Sequence, residues 1–316
     1  MDRRHVVLVT YGEPPTPAFG EQLVYSWRIL LGLTRTVAPI PRPLLPMIAL
    51  ARARGRNKSW VENRYASPLE PITASQAARL QEALAAADEG RPWQVHVAYE
   101  FRKPLLGDVL ARIPAHEPVW VAPMYAADSA FTHALSRDTA AAFQSAVARA
   151  QAVRVMGALD VELLADLSAA HVLDHAGDGD LWRGADVALV LAAHGTLINP
   201  PKPIDTGLEA TEALCAALTV RLGDHFGMVV NGWLNHTRGG KWTDPPIEAA
   251  LAKVADAGFS RVVYFPYGFL ADNAESELEG RVALAGHPEI ESLHLPCLND
   301  SPRLLAALAR EILRAA

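Results

Sequence analysis

Apolar residues run unbroken at two points in the chain, and both runs end alike. Residues 187–193 read Val-Ala-Leu-Val-Leu-Ala-Ala and stop at His194-Gly195; residues 6–9 read Val-Val-Leu-Val and lead through Thr10 to Tyr11-Gly12. An apolar run closed by a small-residue turn fits a strand buried on both faces of a parallel sheet. Further strands are predicted over 94–99, 119–123, 228–233 and 261–266 and near Leu293. Helices are predicted over 19–33, 67–88, 131–150, 208–222, 247–257 and 272–283 and from Pro302, with a short one near Pro104. Strands alternating with helices imply an α/β, doubly wound architecture with parallel sheets.

The pattern occurs twice. Val-Leu-Val-Thr-Tyr11-Gly resembles Val-Leu-Ala-Ala-His194-Gly, and Val119-Trp-Val-Ala-Pro123 resembles Val262-Val-Tyr-Phe-Pro266. Tyr11 and Pro123 stand 112 positions apart, His194 and Pro266 only 72. The excess falls on a Pro-rich and basic segment, which reads as an insertion at about 34–66. Two similar domains are expected, 1–150 and 151–316, each presenting a strand-end residue. Open α/β sheets hold ligands past the carboxyl ends of their strands, so Tyr11 and His194 are expected to face one cleft.

Composition narrows the classes. With 29 basic and 35 acidic residues the net charge is −6, which gives no footprint for nucleic acid. Cys215 and Cys297 stand far apart, so neither a disulfide framework nor an iron–sulfur cluster is expected. No signal-like segment opens the chain and no run is long enough to span a bilayer, which predicts a cytoplasmic protein. No Gly-x-Gly-x-x-Gly follows the first strand, Gly240-Lys241 is followed by Trp242, and no Gly-x-Ser-x-Gly is present. Nucleotide cofactors and serine hydrolysis are therefore not expected.

The candidate chemistry centres on His194 and on Gly268-Phe-Leu-Ala-Asp272-Asn-Ala-Glu275-Ser-Glu277-Leu-Glu279. Asp272 is placed to cap a helix, on which Glu275 and Glu279 share a face. That helix begins at the end of a strand expected to neighbour the His194 strand, so Glu275 should fall beside His194. Such a pair can accept protons or coordinate a hard or borderline metal. A histidine satisfied in a turn and a solvated acidic face are the plainer alternatives. The aromatic, Gly-rich loop 231–246, with Trp233, suits a planar ligand or a closing lid. Arg52, Arg54, Arg56, Lys58 and Arg64, beside Trp60 and Tyr65, fit either a solvated helix face or a contact with anionic ligand groups or lipid headgroups.

Five stretches in order resemble the ferrochelatase family: Tyr11-Gly12-Glu-Pro14; Ser67-Pro-Leu-Glu-Pro-Ile-Thr-Ala-Ser-Gln76; Ala193-His194-Gly195; the Trp233 loop; and Pro266-Tyr-Gly-Phe-Leu-Ala-Asp272-Asn-Ala-Glu275. The resemblance implies two Rossmann-like, chelatase-like domains with a porphyrin cleft between them. It implies Fe2+ as substrate, inserted into a free-base porphyrin with release of two protons, in haem biosynthesis. His194 matches the family's metal- and proton-handling histidine, Glu275 its acidic partner, and Glu279 continues an acidic line for metal or protons. Tyr11, Trp233 and Phe269 are the implied porphyrin contacts. The departures are Pro200-Pro-Lys-Pro-Ile-Asp-Thr-Gly207 after the histidine, Arg238-Gly-Gly-Lys241 after the tryptophan, and Ala283 where a further acid often stands. The basic insertion resembles the protoporphyrin-using branch and Tyr11 the coproporphyrin-using one, so both rings stay open. A non-catalytic porphyrin- or haem-binding protein, or a chelatase for another metal or tetrapyrrole, are the alternatives. The apolar segment 44–50 beside arginines also suits peripheral membrane contact.

Overall fold

A strand with no polar face must be covered on both sides, and both apolar runs are. Residues 6–9 and 187–193 have no solvent exposure in the computed structural model. The model describes residues 3–36, 41–88, 90, 92–147, 152–177, 181–235 and 240–316. Within the Pro-rich insertion, 37–40 lie outside the described residues, as does Arg238.

The first half holds β1 (Arg4–Thr10), α1 (Phe19–Thr36), α2 (Leu45–Glu62), α3 (Leu69–Ala87), β2 (Trp93–Tyr99), α4 (Leu106–Leu110), β3 (Val119–Pro123), α5 (His133–Ala146) and β4 (Val153–Val155). The second holds α6 (Val161–Ala176), β5 (Gly184–His194), α7 (Leu208–Leu222), β6 (Phe226–Leu234), α8 (Ile247–Asp256) and β7 (Arg261–Phe265). A π-helical turn (Ala274–Glu279), α9 (Gly280–Ala285), β8 (Glu291–His294) and α10 (Pro302–Ala315) complete the chain. Two four-stranded sheets result, ordered β2-β1-β3-β4 and β6-β5-β7-β8, with every pairing parallel. The α/β expectation and the repeated pattern are both met. β1 and β5 are the equivalent central strands, and β7 neighbours β5, as a meeting of His194 with Glu275 requires.

Each sheet is covered by helices whose apolar stripes match its face. Val7, Val9 and Val121 pack with Leu106, Leu110 and Ala140 of α4 and α5, while Ala188, Val190 and Ala192 pack with Ile247, Leu251 and Val254 of α8. Alternate residues of one strand face one layer, as the two-residue period dictates. The insertion is itself helical: Leu45 and Ala49 of α2 bury against Leu30 of α1.

The chain divides into one unit of Met1–Ala158, Pro201–Ile204 and Asp300–Ala316, and another of Leu159–Pro200 and Asp205–Asn299. The expected boundary lay near 150, with every later residue in the second domain. Instead α10 groups with the first unit, because Leu304, Leu305, Leu308 and Ile312 form a buried stripe on the helix that packs on α3. Asp300 accepts from Ser75 Oγ at 2.5 Å and from Arg79 Nε at 2.8 Å. Besides α2 of the insertion, β4 and α6 had no counterpart among the elements predicted. β4 is three residues long, too short to show alternation. α6 had a legible start: Asp160 accepts from the amides of Glu162 and Leu163 at 3.0 and 3.1 Å. Helix α5 is shorter than predicted, beginning at His133.

Candidate functional site

His194 is the last residue of β5, where the buried run ends, and its side chain is 55% exposed. The residue after it fixes its position. A Cβ on Gly195 would lie 1.8 Å from Asn235 Oδ1 and 2.9 Å from the Leu234 carbonyl, so only glycine lets β5 and β6 leave the sheet this close together. The Gly195 amide donates to Leu234 O at 2.8 Å. Thr243 then ties the two segments, accepting from Thr196 N at 3.1 Å while Asn235 Nδ2 donates to its carbonyl at 3.0 Å. Leu197 pairs antiparallel with Trp242, and Ile198 N donates to Lys241 O at 2.9 Å. Residues 196–198 after the histidine and 241–243 beyond the glycine-rich loop are thus paired as one short ribbon.

Glu275 arrives from the neighbouring strand. Gly268 lets the segment after β7 pass against β5, since a Cβ there would stand 2.8 Å from Ala193 Cβ. Asn273 then starts the π-helical turn: its Oδ1 accepts from Glu275 N at 2.9 Å and Ser276 N at 3.2 Å, and Ser276 Oγ accepts from Asn273 N at 3.0 Å. This reciprocal cap replaces the expected one at Asp272. Asp272 instead accepts from Cys297 N at 2.8 Å and Asn299 Nδ2 at 2.7 Å, holding the chain as it leaves β8. With that carboxylate occupied, the neighbouring asparagine supplies the capping oxygen.

The outcome is a direct contact: His194 Nδ1 to Glu275 Oε1 at 2.5 Å. Nδ1–H donating to a carboxylate puts the basic lone pair of the neutral ring on Nε2. Glu275 is largely sheltered, its side chain 19% exposed, while the ring it holds faces solvent. Glu279 is exposed on the same turn. Among the described residues no three of His, Cys, Asp and Glu converge as a metal cage, so Glu279 does not complete a ligand set with the pair. Tyr264, wholly buried behind the turn, has its hydroxyl pushed far above the usual range by burial and by Glu275 and Glu279.

The remaining sequence candidates are placed differently. Trp233 is 3% exposed; it lies in the β6 core and its amide donates to Pro245 O at 3.0 Å, so it presents no open face within its unit. Phe269 is half-buried against the α8 and α9 core. In the other unit, Tyr11 Oη donates to Phe131 O at 2.9 Å, and its ring stacks on Phe101 at 5.6 Å. Two matched motifs meet there, Ser67 Oγ donating to Glu13 Oε2 at 2.7 Å. Nearby is a pocket of about 280 Å³ whose lining includes Glu21, Tyr25, Arg28, Phe101 and Arg102, the last paired with Glu70 and, at 3.8 Å, with Glu21. Arg56 stacks over Tyr25 at 4.8 Å and keeps Nη1 buried without a hydrogen-bond partner. Arg28 and Arg102 were not legible as candidates, because neither lies in a motif that marks it.

The family model described as Ferrochelatase matches residues 3–316. Curated relatives named ferrochelatase include one from Neisseria meningitidis, 26% identical over 97% of this chain and 92% of its own length, and one from Synechococcus, 24% identical over 98% and 92%. Among solved structures the chain is similar to CbiX, described as the terminal enzyme of sirohaem biosynthesis in denitrifying bacteria, with TM-score 0.53 and 18% identity over 99% of this chain and all of that one. It is also similar to a multi-domain Deinococcus radiodurans protein, at TM-score 0.55 and 20% identity, covering 99% of this chain and 55% of that one. These structural likenesses speak for the fold.

Proposed function

The chain belongs to the ferrochelatase family, and from that premise we propose that it inserts Fe2+ into free-base coproporphyrin III or protoporphyrin IX through His194 and Glu275. The observation that carries this reading is the 2.5 Å contact between an exposed imidazole and a sheltered carboxylate at a strand's carboxyl end. A free-base porphyrin carries two N–H protons that must leave as the metal enters. With Nδ1–H given to Glu275, His194 offers Nε2 as the acceptor, the general-base role that an imidazole suits. Glu275 holds the ring in that tautomer and steadies the imidazolium that forms. The same two donors can hold Fe2+ on arrival, with the exposed Glu279 one turn further as an approach point.

Substrate recognition falls to the other features. Arg28, Arg56 and Arg102 are the cations proposed to pair with the ring's carboxylates, and Tyr11 and Phe269 the apolar contacts. Trp233 contributes through packing, fixing the ribbon behind His194. No helix among the described residues is long and apolar enough to cross a membrane. Leu44 and Met47, 42% and 63% exposed, support peripheral contact of the insertion with a bilayer surface.

The test is anaerobic Fe2+ insertion into each ring, followed by absorbance, with His194→Ala as control. Turnover lost by about 10²-fold or more in the variant is expected. Tight porphyrin binding with no turnover by the wild type would make the protein a carrier.

A further inference from the structure

Within the second unit, two consecutive residues of the π-helical turn are held by two different histidines, each the last residue of its strand. Glu275 meets His194, at the end of β5, at 2.5 Å. Ser276 O faces Nε2 of His294, at the end of β8, at 3.0 Å. A carbonyl oxygen can only accept, so His294 Nε2 carries the proton and donates it to Ser276. In the sheet order β7 stands between β5 and β8, so the two histidines grip the turn from strands that are not neighbours.

The packing around His294 fixes where that donor points. His294 pairs in register with Tyr264 of β7, and the two rings meet edge to face at 4.7 Å. Tyr264 has no exposed surface and His294 is half-buried. Gly280, which directly follows the turn, sits on this pair: a Cβ there would stand 2.9 Å from both His294 Cε1 and Tyr264 Cε1. The ring therefore has little room to rotate away from Ser276. Burial pulls the His294 imidazole below its ordinary value, with the Ser276 bond and Asp272 acting the other way and Arg281 adding to the fall. At neutral pH the ring is neutral, with its one proton on Nε2.

A π-helical turn is rare, and it occurs mostly as a single turn at functional sites. A short turn in that register is held by bonds from outside itself. The Asn273–Ser276 cap secures its start, and the His294 bond ties its body to the edge strand. We propose that His294 is a positioning residue that, through the Ser276 carbonyl, keeps the turn in the register that aims Glu275 at His194. His294 touches neither metal nor porphyrin in this role. Without its donor the turn relaxes towards the α register, which rotates Glu275 about the turn's axis and opens the 2.5 Å contact. The effect on that contact follows from the geometry alone, whereas any effect on turnover rests on the chelatase reading.

Nitrogen and proton NMR of labelled histidine in the full chain reads both ends of this tie. In the wild type His294 should be the Nε2–H tautomer, and His194 should show a strongly deshielded Nδ1 proton from its bond to Glu275. His294→Leu should lose or weaken the His194 signal, and His294→Gln, whose amide nitrogen can stand where Nε2 does, should keep it. In Fe2+ insertion the Leu variant should bind porphyrin within about 2-fold of wild type by fluorescence and lose about 10-fold in kcat, most of it recovered in the Gln variant. If His294→Leu does not fold, His294→Asn, too short to reach Ser276 O, takes its place. An Nδ1–H tautomer at His294, or a His194 signal unchanged in the variant that lacks the donor, overturns the proposal. A wild type that shows the signal and loses it with the donor, yet inserts no metal, supports the positioning role and overturns the chelatase reading.

Discussion

The two sheets share one strand order and one backbone device, and differ in what they mount on it. At the end of β1, Gly12 adopts φ +74° against the last residue of β2, a Cβ there falling 2.4 Å from Tyr99 Cβ. At the end of β5, Gly195 lies against Asn235, one residue past β6. Each glycine follows the strand-end residue, and each lets the equivalent neighbouring strand approach. Yet Tyr11 is packed among rings and hydrogen-bonded to backbone, whereas His194 faces solvent and is gripped by a carboxylate. A duplicated framework fixes where a side chain stands. The chemistry then depends on the one residue before the glycine and on what the next loop brings to it.

The contrast between the two strand ends can be tested at several points. The largest effect is expected from Glu275→Gln, which keeps the shape of the pair but removes the charge that orients His194. Metal insertion should fall about 10- to 100-fold with the fold unchanged by circular dichroism. A variant of full activity would show that the carboxylate is incidental.

The two glycines should then separate by context. Gly12→Ala meets a Cβ close to the backbone at a left-handed φ, and should cost about 2–3 kcal/mol in urea unfolding. Gly195→Ala displaces the Asn235 amide from its ties to Thr243 and also crowds the Leu234 carbonyl, but at no left-handed φ, and should cost about 1–2 kcal/mol. Equal costs would mean that the two exits are built on the same constraint and that context does not separate them. Tyr11→Phe removes one hydrogen bond to Phe131 O and should destabilise by about 1 kcal/mol, read as a shifted midpoint.

The smallest effect lies at the opposite ends of the strands. His5 is hydrogen-bonded to His96 at 2.9 Å and to Glu117 at 2.7 Å, and the bond from His5 holds the Glu117 carboxyl below its ordinary value. A depressed carboxylate stabilises the fold above its unfolded pKa of about 4.3 and loses that contribution as pH falls through the folded value. Glu117→Gln should therefore flatten the acid side of the stability curve and leave neutral pH nearly unchanged. A curve identical to wild type in acid would remove this role.

Much of the fold was legible because its signals are local. The runs at 6–9 and 187–193 fit strands buried on both faces, and they are the central strands, since no residue in them has a polar face to offer water. The repeat of Tyr11-Gly and His194-Gly announced two similar sheets, and the order of strands and helices brought Glu275 to His194. What escaped depends on partners far away in the chain. Asn273 rather than Asp272 caps the π-helical turn because Cys297 and Asn299 occupy the aspartate. Trp233 is core because the segment at Pro245 covers it. α10 joins the first unit because α3 offers an apolar surface for its stripe. Local patterning thus determined most of the elements and the two strand-end residues. Only the tertiary structure decided the tautomer of His194 and the ribbon behind it, because each arises where hydrogen-bonding groups distant in sequence find one another.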